Sequence, residues 1–213
     1  MTSERLVEML SARLTPVRVR RLSHDALLLA AIGAVELLLL LLLVGARPDL
    51  ATAITRPFFW WKLAAMGVPT AIALTATLRS FDPTRSPRPG LRGAAIAVAV
   101  ALALGWLLDA THRSGTTIAG RMQWHEGMRC MAWMAMLALP MIAALGALMR
   151  RSAPTDPAGT ARAAGTAGAA WGAFVFAFAC PHDDPLYVAI WYLAGCSLVA
   201  VAARWLLAPV ARW

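Results

Sequence analysis

The sequence predicts an all-α protein, a polytopic integral membrane bundle of about six transmembrane helices with both termini in the cytoplasm. Three observations carry this expectation. Of 213 residues, 60% are hydrophobic and 15% charged, against roughly a quarter charged in a soluble domain. Apolar runs recur along the chain, each close to the ~20 residues that cross a bilayer as a helix. Basic residues collect on alternate connections, with fourteen of the 20 Lys and Arg on one side of the resulting topology and six on the other. Since Lys and Arg accumulate in cytoplasmic loops, the richer side is assigned inward. The same asymmetry accounts for the net charge of +9, so no direct nucleic-acid partner is expected.

Residues 1–25 form a cytoplasmic, basic and amphipathic segment, followed by a six-helix transmembrane domain over 26–213. Leu6, Val7, Leu10 and Leu14 share one face of a helix that Thr2 or Ser3 caps and Pro16 stops, with Glu4, Glu8 and Ser11 opposite. Arg5, Arg13, Arg18, Arg20 and Arg21 keep this segment inside. Two roles fit it: a helix lying on anionic lipid, or a helix offered to a groove on a cytosolic partner. The first apolar run begins only at Ala26, with no small-residue cleavage site after it, so no cleavable signal peptide is expected.

Span 1, residues 26–44, is nearly all Leu and Ala around a central Glu36. A carboxyl at mid-bilayer costs about 2.5–3.5 kcal/mol on insertion scales, so Glu36 must face the bundle, as a proton relay or as a structural hydrogen bond to a neighbouring helix. Residues 45–56 make an outer loop. Span 2, residues 57–78, opens with Phe58, Phe59, Trp60 and Trp61, expected as an interfacial aromatic belt. An inner loop with Arg79, Arg85, Arg88 and Arg92 leads to span 3, residues 94–108, which is short for a crossing. The longest outer loop carries His112, His125 and Glu126 before span 4, which ends near 149 and should kink at Pro140. Arg150, Arg151 and Arg162 mark the next inner loop. Span 5, residues 163–179, sets Ala164, Gly168 and Gly172 on one ridge for close helix approach, and span 6 covers 186–207.

This topology brings Cys130, at the start of span 4, and Cys180, after span 5, to the outer face at one membrane depth. Around them stand His125, Glu126, His182, Asp183 and Asp184. Thiolate and imidazole favour soft ions such as zinc or copper(I), which makes Cys130, Cys180 and His182 the metal-ligand candidates. A structural disulfide, a redox or soft-metal sensing pair and a fixed metal site remain as readings. The last lacks any His-Glu-x-x-His or closely spaced Cys pair. Asp183, Asp184 and Pro185 also read as a helix start, Trp191 and Tyr192 as packing inside the bundle, and Cys196 as a small buried hydrophobe.

The segments Gly127-Met-Arg-Cys130 and Cys180-Pro-His-Asp-Asp-Pro-Leu-Tyr-Val-Ala-Ile-Trp-Tyr192 resemble those of the family of six-span bacterial proteins called negative regulator of sigma F (NrsF), and the likeness extends over the whole chain. The resemblance implies an inner-membrane anti-sigma factor, not an enzyme. Such a protein holds an extracytoplasmic-function (ECF) sigma factor and releases it under heavy-metal or oxidative stress, with the motif cysteines falling on Cys130 and Cys180. Its expected partners are that sigma factor and the lipid bilayer, with a homo-oligomer left open, and no cofactor is expected beyond a transient soft-metal ion. The grip on sigma factor would lie in Leu6, Val7, Leu10, Leu14, Arg18, Arg20 and Arg21, or in the inner loops. The competing class is a membrane thiol-redox enzyme or a small metal- or proton-coupled transporter. That class needs several buried ionisable groups along a path, and only Glu36 stands firmly inside a span.

Overall fold

Each apolar run becomes a helix, because a chain in lipid must satisfy its backbone polar groups internally. The computed structural model describes residues 3–12, 21–111, 117–152 and 154–211. Among these residues all regular structure is helical: α1 (Ser3–Ser11), α2 (Leu22–Leu43), α3 (Pro57–Ser80), α4 (Arg88–Thr111), α5 (Trp124–Arg150), α6 (Pro157–Phe176) and α7 (Pro185–Leu207), with short helical turns at Leu50–Ala53 and Ile118–Met122.

Five segments are long and apolar enough to cross a membrane: Leu22–Leu43, Pro57–Ser80, Arg88–Thr111, Gly120–Arg150 and Pro185–Leu207. The protein is therefore read as a multi-pass membrane protein. The expected fifth span, now α6, lies outside this set, and its surroundings explain why. It packs against α3, α5 and α7, and Ala161, Ala163, Ala164, Ala167 and Ala173 along it are fully buried. A helix walled by protein needs small residues more than lipid-loving ones. Gly168 faces Ile142, and Gly172 faces the α5 backbone at Met134 and Ala138, with no room for a Cβ at either. The small-residue ridge is thus a packing surface inside one chain.

Several expected boundaries move. The short third span is a full-length helix, because Arg88, Pro89 and Arg92 belong to α4 and not to the loop before it; Pro is tolerated in a first turn, where its missing N–H has no partner to lose. Helix α5 starts at Trp124, which places His125 and Glu126 in its first turn, and it runs unbroken through Pro140 to Arg150. The aromatic belt divides, since Phe59 and Trp61 are buried core residues and only Trp60 is exposed. At the N-terminus, α1 carries Leu6, Val7 and Leu10, and Val7 is exposed. Arg21 lies exposed just before α2; Leu14, Arg18 and Arg20 fall outside the described residues.

Alternating helix directions give the bundle two ends. One gathers residues 44–56, 109–111, 117–124 and 177–187 with both motif cysteines, and is called the thiol end. The other carries residues 81–87, 151–152 and 154–156, which meet where Thr155 Oγ1 donates to Pro83 O at 2.9 Å, and is called the terminal end.

Candidate functional site

Cys130 sits in the second turn of α5, and Cys180 lies in the turn that ends α6, where its N–H donates to Phe176 O at 3.0 Å. Three residues before Cys130, Gly127 rests against the Trp191 indole with no space for a Cβ. Trp191 Nε1 donates to Met122 O at 2.7 Å. The starts of α5 and α7 are thereby locked together, and the motif glycine has its reason. The two sulfurs stand 3.9 Å apart, as free thiols 5% and 1% exposed. Cys130 Sγ also lies 3.0 Å from Tyr187 Oη, and the His182 ring stacks on Tyr187 at 4.6 Å between centroids.

Buried cations hold the loop that carries Cys180. Lys62, fully buried one turn into α3, donates to Cys180 O at 2.8 Å, His182 O at 2.9 Å and Asp183 Oδ1 at 3.2 Å, with its ammonium 5.5 Å from the Tyr192 ring centroid. Arg47 reaches both carboxylate oxygens of Asp183 at 2.7 Å, grips Asp49 through Nε and Nη2 at 2.7 and 2.8 Å, and donates to Pro181 O at 3.0 Å. Such charge-assisted, multidentate contacts are the strong ones, and they meet the rule that buried charge must be paired. Arg121 bridges Asp109 and Asp184, while Asp184 Oδ1 accepts from the N–H groups of Leu186 and Tyr187 and so caps α7.

The same contacts set the ionisation of the loop. Hydrogen bonds from Arg47 hold the Asp49 carboxyl at about 2. For Asp184, burial pushes upward, but the Arg121 guanidinium and the two capping N–H groups prevail and hold it below its ordinary value. The Cys180 thiol is held low by its contact with Cys130 and, against its own burial, by the Lys62 ammonium. Cys180 is thus the sulfur disposed to act as thiolate, the reactive form of a cysteine.

Of the residues expected at this site, Cys130, Cys180, His182, Asp183 and Asp184 meet, and His125 does not join them: it is exposed on α5 and takes no part in these bonds. Among the described residues no group of three His, Cys, Asp or Glu side chains is arranged to hold a metal ion, so the structure adds no support to the metal expectation at Cys130, Cys180 and His182. His182 spends its ring on Tyr187, and the aspartates are already claimed by Arg47, Lys62 and Arg121. Glu36 accepts a hydrogen bond from Trp171 Nε1 at 2.8 Å, but it is not the only ionisable group inside, because Arg47 and Lys62 are also buried. Cys196 is half-buried, not fully so. Sequence reasoning missed Lys62, Arg47, Arg121 and Tyr187 as site residues. A lone Lys following an aromatic run at the head of an apolar span was the available signal for the first, since such a charge needs a carboxylate partner.

A family model described as "NrsF: Negative regulator of sigma F" matches residues 10–213. The "Anti-sigma-F factor NrsF" of Caulobacter vibrioides (strain NA1000 / CB15N) is 32% identical over 211 residues, covering 93% of this chain and 91% of that one. The "Probable anti-sigma-F factor NrsF" of Azospira oryzae (strain ATCC BAA-33 / DSM 13638 / PS) is 29% identical over 216 residues, covering 100% of both. No solved structure matches the chain.

Proposed function

Because the chain belongs to the NrsF family of negative regulators of sigma F, we propose that it is an inner-membrane anti-sigma factor that holds an ECF sigma factor and releases it when Cys130 and Cys180 react with an oxidant or a soft metal ion. Like its family it is a regulator and not an enzyme.

The observation that carries the sensor half is the 3.9 Å approach of two buried thiols from different elements. A disulfide spans about 2.05 Å between sulfurs, so bond formation closes the sulfurs by roughly 2 Å, through side-chain rotation or a shift between the start of α5 and the α6–α7 connection. A soft ion bridging the two sulfurs would instead hold them apart. Either event acts on a clamp that is already fully paired, and repacking such a network is a two-state change.

In this reading α6 is a sixth span, residues 26–213 form the membrane domain, and both termini lie in the cytoplasm with the terminal end of the bundle. That end presents Arg79, Arg85, Arg88, Arg92, Arg150, Arg151 and Arg162, all exposed, consistent with the inward bias of basic residues. Residues 1–25 supply the grip, with Val7 exposed on α1 and Leu6, Leu10, Leu14, Arg18, Arg20 and Arg21 as its other contacts. Deleting residues 2–15 is expected to abolish co-purification of the sigma factor while the protein still inserts into the membrane. Retained co-purification would move the grip to the inner loops.

A further inference from the structure

An apolar cavity of about 420 Å³ lies between α3, α4, α6 and α7, with Trp61, Met66, Val98 and Leu193 in its walls. Exposed Ala95 on α4 and Ser197 on α7 form part of its lining, so it opens sideways between those helices, within the membrane-crossing part of the chain. Its lining on α7 runs from Val188 to Ala200, a rise of about 18 Å at ~1.5 Å per residue. One leaflet of hydrocarbon is about 15 Å deep, half of the ~30 Å core. The cavity thus has the length of an acyl chain in one leaflet.

Positive charge borders its terminal end. Arg88 and Arg92 precede Leu91 and Ala95 by three residues on α4, Arg162 precedes Thr166 by four on α6, and Arg204 follows Ala200 by four on α7; Leu91, Ala95, Thr166 and Ala200 all line the cavity. Residues three and four apart share a helix face, so each arginine stands one turn beyond the lining on the face that bears it. All four arginines are exposed. Among the described residues no carboxylate pairs with Arg92, Arg162 or Arg204, and Arg88 meets Asp156 loosely, at 3.7 Å. Trp205, 69% exposed beside Arg204, marks this level as the membrane interface, where tryptophan is enriched. Basic sites between transmembrane helices bind anionic headgroups, and here an apolar slot continues from the basic site into the bundle.

We propose that this cavity takes an acyl chain of an anionic phospholipid from the leaflet at the terminal end, with the lipid phosphate among Arg88, Arg92, Arg162 and Arg204. A zwitterionic lipid offers the same chain but brings its own cation to the arginines, so charge sets the preference. A water-soluble anion would gain nothing from the apolar walls. The site is separate from the thiol pair and requires only that the chain cross a membrane; in the topology proposed above, the leaflet is the inner one.

The test uses the full-length protein, purified in detergent and stripped of lipid, titrated with dioleoyl phosphatidylglycerol, dioleoyl phosphatidylcholine or glycerol phosphate and read by native mass spectrometry. Phosphatidylglycerol should bind about tenfold or more tightly than phosphatidylcholine, and glycerol phosphate should not compete with it. A basic residue beside an anionic headgroup contributes about fivefold, so the double variant Arg92→Gln/Arg204→Gln should weaken phosphatidylglycerol binding by about tenfold or more and leave phosphatidylcholine unchanged. Arg150→Gln/Arg151→Gln removes the same charge from the same end on and beside α5, which does not wall the cavity, and should weaken binding less than about twofold. Val98→Trp, which fills the cavity and removes the chain's packing contacts, should weaken both lipids by about tenfold. The proposal is overturned if the two lipids bind alike, if both arginine pairs weaken phosphatidylglycerol equally, if glycerol phosphate displaces the lipid, or if Val98→Trp binds as tightly as the unmodified chain. Lipid-free dimers in place of lipid adducts would assign the opening to a second copy and overturn it as well.

Discussion

The two ends of the bundle treat positive charge in opposite ways. At the thiol end Arg47 is 3% exposed and Lys62 fully buried; Lys62 is paired with carbonyls and a carboxylate on the Cys180 loop, and Arg47 with that loop and with Asp49. At the terminal end the arginines between 79 and 92 and between 150 and 162 are exposed, and their ion pairs are loose, such as Arg88 with Asp156 at 3.7 Å and Arg85 with Asp82 at 3.8 Å. Desolvated pairs demand exact partners and give a fixed geometry, whereas solvated charges cost little and stay available. One end holds two sulfurs 3.9 Å apart in a paired framework, and the other leaves its charges solvated.

The largest expected effect breaks this contrast directly. Arg47→Ala leaves Asp183 with only Lys62 and Asp49 with no cation of its own, and should lower unfolding stability in detergent by about 3–5 kcal/mol. Arg85→Ala at the other end should change it by no more than about 0.5 kcal/mol; equal losses would mean the two ends do not differ in kind. Next comes Gly127→Ala, which forces a methyl into the Trp191 indole and should cost about 1–3 kcal/mol, read from the same unfolding curves.

Asp184→Ala removes the α7 cap and should cost about 1 kcal/mol. It carries a pH signature. The folded carboxyl titrates below its ordinary value, so its contribution is complete above the ordinary carboxylate range and is lost as pH falls through the folded value. The variant should lack that acid sensitivity. The smallest effect is a shift along the pH axis: alkylation of Cys180 should persist below the ordinary thiol range, and Lys62→Met should move the profile upward by removing the neighbouring charge. An unmoved profile would remove Lys62 from the account of thiol reactivity.

The helices were legible because their signal is local. An apolar run long enough to cross a bilayer marks itself, as at 26–44, and the run Asp183-Asp184-Pro185 announced the start of α7 through chemistry confined to a few adjacent residues. The fate of α6 was less legible, because its Ala and Gly content reports what surrounds it and not what it crosses. The clamp was hidden for a related reason. Lys62 and Asp183 are far apart in sequence and carry no motif that joins them, so each could be assigned a plausible separate role, an outer-loop cation and a helix-start anion. Only packing decided that Asp184 caps the helix while Asp183 binds Arg47 and Lys62. Phe59 and Trp61 were misplaced at the membrane interface because an aromatic cluster at a span's end looks alike whether it faces lipid or the bundle.

The central claim is that the state of two thiols at one end governs a protein contact at the other. The direct measurement is recovery of the sigma factor with the membrane-extracted protein, before and after diamide, for the unmodified chain and for Cys130→Ser and Cys180→Ser. The account predicts that oxidant releases the sigma factor from the unmodified protein and leaves it bound to both variants. Release that is identical in all three proteins would contradict it.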